Sequence, residues 1–124
     1  MDGAKQIQGS VSYHAGRAAE FAVAQDYQRR GYLLAFERWR GKRGEIDLVM
    51  RNAEEFVFVE VKKSKSFDRA AERVTRHQIA RIYGSAEEFV GTQPDGALMN
   101  MRFDVALVNQ VGALRILENA FGHG

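Results

Sequence analysis

GEIDLVM at residues 44–50 and FVFVEVK at residues 56–62, joined by RNAEE at 51–55, decide the fold of this chain. Both outer runs are dense in aliphatic, β-branched and aromatic residues, the composition of strands, and the connection is short and polar. The stretch therefore reads as a β-hairpin. Side chains alternate between the two faces of a strand. Alternation predicts Glu45, Asp47 and Val49 on one face of the first strand, and Phe56, Phe58, Glu60 and Lys62 on one face of the second. Val57, Val59 and Val61 then turn the other way, into a core. A two-residue turn at Ala53 and Glu54 sets Asp47 directly opposite Glu60, and a register shifted by two sets Glu45 there instead. Asp47 and Glu60 share a face in both.

Directly opposite side chains have Cβ atoms about 5 Å apart, and like charges so placed destabilise a sheet. The valine-rich strand makes the surroundings dry, which raises the cost of charge. A proton on one carboxyl relieves the conflict, and so does a cation between the two. Lys62 projects from the same face, two residues along. Two acids, a cation and an ammonium are the parts of metal-assisted phosphodiester hydrolysis, in which positive charge meets the negative charge that grows on the phosphate. Glu60 and Lys62 alone would more often make an ordinary salt-bridge ladder. Asp47 at matching parity is what favours a site.

Outward from the hairpin, His14 to Arg30 is an alanine-rich helical segment, with Gly31 where a helix stop belongs. Tyr32 to Trp39 reads as a strand, and GKRG at 41–44 as a turn. Lys63 to Arg73 is a basic connection. Ile79, Ile82, Tyr83, Ala86, Phe89 and Val90 then recur at helical spacing, and Thr75 with Gln78 has the form of a capping box. Met101 to Val108 and Leu114 to Leu117 read as strands. The order αβββαββ predicts an α/β fold, a central mixed β-sheet flanked by helices.

The chain has 124 residues, one domain's worth, taken as 13–121 behind a flexible lead-in at 1–12. It has no cysteine, and His14, His77 and His123 are scattered, so thiolate and histidine metal motifs are excluded. A bound metal would rest on oxygen, which suits Mg²⁺ or Mn²⁺. No segment reads as a signal peptide or a membrane span, so the expectation is a soluble cytoplasmic protein without a membrane partner. The net charge is only +2, but residues 62–81 carry seven Lys or Arg against two acids, and Arg38, Arg40, Lys42 and Arg43 form a second basic cluster. Clustered charge of this kind suits a phosphate backbone. Arg40, Lys42, Arg43, Lys63, Lys65, Arg73 and Arg76 are the candidate nucleic-acid contacts.

An acid in one strand followed by E-x-K in the next resembles the PD-(D/E)XK nuclease superfamily. The ordered blocks GRAAE at 16–20, RGYLL at 30–34, GEIDLV at 44–49, FVFVEVK at 56–62 and RFDVALV at 102–108 resemble, more closely, the YraN-like family of small bacterial proteins. The resemblance implies a restriction-endonuclease-like three-layer core in a single nuclease-like domain. It implies Asp47 and Glu60 as metal ligands with the Val61 carbonyl beside them, and Lys62 as the catalytic lysine. Glu20 on the first helix matches the upstream acid of resolvase-like members, as a further ligand and catalytic acid. Glu45 would be a supporting acid, and Gln78 a polar helix residue directed at the site. Arg102 and Asp104 belong to the family block but read as sheet pairing. Two departures stand out: Ile46 precedes Asp47 where the superfamily has proline, and His77–Gln78 stands where relatives often carry a lysine.

The activity so implied is a Mg²⁺- or Mn²⁺-dependent DNA endonuclease acting on branched or single-stranded DNA. By analogy with resolvases it would work as a homodimer, since cutting two strands takes two sites. A non-catalytic nucleic-acid-binding module that retains the fold is the competing expectation, and an accessory subunit with a vestigial site is a third.

Overall fold

The structure is a computed structural model that describes residues 17–63, 65, 67 and 75–121. The lead-in expected at 1–12 and the candidate DNA contact Arg73 lie outside these residues. Helix α1 covers 17–29 and stops where the sequence placed Gly31, which takes a φ of 98°. Glycine enters that left-handed region without the Cβ clash other residues suffer. Strands β1 (Leu33–Arg40), β2 (Glu45–Arg51) and β3 (Glu55–Lys63) follow, then helix α2 (Arg76–Gly91), a 3-10 turn at Gly96–Leu98, β4 (Asn100–Val108) and β5 (Leu114–Leu117).

The five strands lie in the order β1-β2-β3-β4-β5. β1/β2, β2/β3 and β4/β5 are antiparallel, and β3/β4 is parallel, joined by the crossover that contains α2. The chain is therefore α/β with a mixed sheet between α1 and α2. On one face Val23, Ala24 and Tyr27 of α1 close over Leu48, Met50, Val57, Val59 and Ala106. On the other, Ile82, Ala86 and Phe89 of α2 close over Val49, Phe56, Phe58 and Phe103. β3 is covered on both sides, which is why its sequence runs almost unbroken through apolar residues. None of the described helices is long and apolar enough to cross a membrane.

The hairpin has the tighter of the two registers left open by the sequence. Pairs run from Arg51↔Phe56 to Leu48↔Val59, and the Asn52 N–H donates to the Glu55 carbonyl at 3.1 Å, leaving Ala53 and Glu54 as the turn. The Asn52 side chain accepts the N–H groups of Glu54 and Glu55, both at 2.9 Å, which stabilises that turn.

Strict alternation fails at one point. Ile46 lies under α2 and Leu48 under α1, although they are two residues apart. Val49 is buried with Ile46 under α2, so Glu45, Asp47 and Val49 do not form the single face expected of them. The slip falls at Asp47. On the neighbouring strand the pairs Glu37↔Leu48 and Trp39↔Ile46 put Arg38 opposite it, and Arg38 has a φ of 53°. A left-handed non-glycine residue costs about 1–2 kcal/mol and persists only where its surroundings hold it. Both strands leave the regular ladder on the line where the half-buried acid sits.

Candidate active site

Asp47 and Glu60 are held at the end of the β2/β3 ladder, just past its last pair at Leu48↔Val59. There the Asp47 side chain does the ladder's work: its Oδ2 accepts the Val61 backbone N–H at 2.8 Å. The Asp47 carboxyl also shares a hydrogen bond with Glu60. Burial pushes Asp47 up to about 7, and the negative charge of Glu60 and the shared hydrogen bond push the same way. The Val61 N–H and the Lys62 ammonium only partly offset this. Carboxyls of ordinary acidity titrate near 4. At neutral pH Asp47 is therefore poised between its protonated and its ionised form.

Glu60 is 6% exposed and draws cations from two directions. The Lys62 Nζ lies 3.4 Å from its Oε2, and the Arg81 Nη2 reaches the same oxygen at 3.8 Å. Asp47, Glu60 and Lys62 are thus brought together as the sequence predicted. Arg81 was not foreseen as part of the site. Its signal was its place three residues after Gln78, on the same side of α2. It reaches Glu60 across Gly44, whose φ is 142° and where a Cβ would stand 2.8 Å from the Arg81 Cδ. The residue at 44 must be both left-handed and bare for this arrangement.

Glu20 is a half-buried neighbour that feels the charge of Asp47, not the exposed helix glutamate it could have been. Its Oε1 accepts the Arg38 Nε at 3.0 Å. Burial raises its carboxyl above the ordinary range, against the pull of Arg38. The left-handed backbone of Arg38 carries its guanidinium to Glu20, a role without any signal in the residue pattern.

Glu45 and Gln78 are placed away from the roles expected of them. The Glu45 Oε2 pairs with the exposed Arg40 at 3.0 Å, a rim contact. Gln78 closes the capping box: its N–H donates to the Thr75 Oγ1 at 3.2 Å, and its Oε1 accepts the Thr75 N–H at 2.9 Å. A side chain committed to its own helix end is not directed at the acids. Arg102 and Asp104 pair as read from the sequence. The fully buried Asp104 accepts the Arg102 Nε and Nη2, both at 3.0 Å, together with the Tyr27 hydroxyl and the Asn119 N–H.

Among the expected DNA contacts, Arg40, Lys42, Arg43, Lys63, Lys65 and Arg76 are all exposed. The turn carrying Lys42 and Arg43 is anchored by Glu88, whose two carboxylate oxygens accept their N–H groups at 3.1 Å each.

Two adjacent carboxyls, Glu60 buried and Asp47 half-buried and raised toward neutrality, fit an oxygen-ligated divalent cation. Among the described residues no group of three or more His, Cys, Asp or Glu could hold a metal ion, and Glu20 and Glu45 are paired with Arg38 and Arg40. The donors on offer are the Asp47 and Glu60 carboxylates and the backbone beside them.

The model of the uncharacterised protein family UPF0102 matches residues 19–108. A UPF0102 protein of Ruegeria pomeroyi is 55% identical over 116 residues, covering 94% of each chain. One from Cereibacter sphaeroides strain ATCC 17029 is 54% identical over 93% of this chain and 98% of its own. One from Ruegeria sp. strain TM1040 is 44% identical over 96% of both.

Proposed function

We propose that this chain, which belongs to the uncharacterised protein family UPF0102, is a metal-dependent DNA endonuclease of the PD-(D/E)XK superfamily with a restriction-endonuclease-like core. The observation that carries the reading is the hydrogen-bonded carboxyl pair of half-buried Asp47 and buried Glu60, flanked by Lys62. A sheet has no structural need to bury two acids side by side, and the arrangement raises the free energy of the folded chain unless positive charge is supplied.

Asp47 and Glu60 would hold Mg²⁺ or Mn²⁺ with the Val61 carbonyl, and Glu20 would join them on release from Arg38. The cation supplies Lewis-acid activation and charge neutralisation at the phosphate. The protein's own groups do the rest. The Val61 N–H fixes the Asp47 carboxylate. Burial keeps bulk water from screening the charges. The Lys62 ammonium sits where it can meet the charge that builds on a phosphate oxygen as water adds and one P–O ester bond breaks.

The test is incubation of the protein with supercoiled, branched and single-stranded DNA and Mn²⁺, beside Asp47→Ala and Lys62→Ala. Nicking by the wild type alone is expected. No nicking, or equal nicking by Asp47→Ala, overturns the reading.

One observation favours a second reading, a DNA-binding module without catalysis. Lys62 and Arg81 already neutralise Glu60, and Arg38 occupies Glu20. That reading expects salt-dependent DNA binding that is indifferent to Asp47→Ala.

A further inference from the structure

Beside Glu60, on the α2 side of the sheet, Arg43, His77, Ala80 and Arg81 line an open groove of about 330 Å³. Among the described residues its lining holds two guanidiniums and an imidazole and no carboxylate. Two separate elements build it. Arg43 comes from the turn between β1 and β2, its backbone pinned by Glu88, and its side chain lies over Gly84, where a Cβ would collide with the Arg43 Cδ. His77 and Arg81 come from α2, four residues apart and so on one helix face. The Arg81 Nε is buried and has no hydrogen-bond partner among the described residues. Its Nη2 meets Glu60 only at the long distance of 3.8 Å. A buried guanidinium N–H without an acceptor is costly, and an anion in the groove would supply one.

We infer that the Arg43–His77–Arg81 groove is a phosphate-binding subsite that holds the nucleic-acid backbone next to the Asp47–Glu60 pair. For the identity of the anion as nucleic acid, this rests on the hydrolytic reading of that pair. A strand laid in the groove passes over α2 and the β1–β2 turn, with Arg81 bridging from its phosphate to the acids. Arginine suits the task because its fork of donors meets two phosphate oxygens at once. Another cavity, about 530 Å³, is lined by Lys63, Lys65, Asn109 and Gln110 beside Ala18, Ala19, Ala22 and Val108, and it holds no guanidinium among the described residues.

The experiment is fluorescence anisotropy of the full chain with a fluorescein-labelled DNA duplex in EDTA, over a series of KCl concentrations. Metal-free binding is read apart from cleavage, so failure here and failure of the nuclease reading are separate results. Arg43→Gln and Arg81→Gln are each expected to weaken binding about tenfold and to reduce the slope of log K against log salt by about one. Arg81→Lys should recover part of the loss, and Arg29→Gln, on α1, should bind as the wild type does. Melting temperatures confirm that each variant is folded. If Arg81→Gln does not fold, Arg43→Gln in the exposed turn decides the matter. Wild-type affinity in both Gln variants, equal weakening by Arg29→Gln, or no binding by the wild type overturns the inference.

Discussion

The backbone N–H of Val61 donates to the side chain of Asp47 at 2.8 Å, so a carboxylate stands in for a strand where the β2/β3 ladder ends. This bond holds Asp47 against Glu60 despite their mutual repulsion, and several outcomes depend on it.

Divalent cations should stabilise the protein through this pair. Mn²⁺ added to the metal-free protein at pH 8 is expected to raise the melting temperature, because a ligand that binds only the folded state shifts the equilibrium by mass action. Asp47→Asn should abolish the shift, measured by differential scanning fluorimetry. A full shift in that variant would exclude Asp47 as a ligand.

The pH dependence has a definite sign. Asp47 is raised from 3.8 to about 7 in the folded state, so the folded chain keeps a proton that the unfolded chain has lost. Its contribution to stability is complete below pH 4 and is lost as pH rises to about 7, on the order of a few kcal/mol. Urea denaturation in EDTA should show stability falling across that window, with a flatter profile in Asp47→Asn. Glu20, raised mainly by burial, acts in the same direction.

Asp104 is expected to matter for folding alone. It is fully buried and accepts from Tyr27, Arg102 and Asn119. Asp104→Ala leaves a half-buried guanidinium without its main partner and should cost about 3–5 kcal/mol in chemical denaturation. Tyr27→Phe, which removes one donor, should cost about 1 kcal/mol.

Gln78→Ala separates capping from chemistry. Loss of the reciprocal bonds with Thr75 should lower stability by about 1 kcal/mol. Nicking per folded molecule should stay unchanged, and a large fall in rate at unchanged stability would return Gln78 to the site.

The hairpin itself, the capping box and the stop at Gly31 were legible because each depends on neighbours in sequence, whereas the choice between the two hairpin registers came from the structure. The meeting of Asp47, Glu60 and Lys62 was legible for the same reason, since one short turn fixes all three. Arg81 and Arg38 were not. Arg81 reaches Glu60 only because α2 returns over the sheet and Gly44 leaves room, and Arg38 finds Glu20 only because β1 breaks its own geometry. Glu45 and Gln78 carried the right residue types, but nearer partners, Arg40 and Thr75, claimed them. The alternation rule missed the slip at Asp47 because a rule of period two has no provision for a half-buried acid that must find a donor.

β1 is an outer strand of the sheet, with Leu33, Leu34 and Phe36 exposed along it. An uninterrupted apolar margin of that kind invites strands of other molecules to add on, the first step toward fibrous aggregation. Here the margin is broken twice, by the shift in pairing between Leu34 and Phe36 and by the left-handed turn of the backbone at Arg38. The kink that aims a guanidinium at Glu20 also keeps the margin from serving as a template, and replacing it with a smooth strand would trade solubility for regularity.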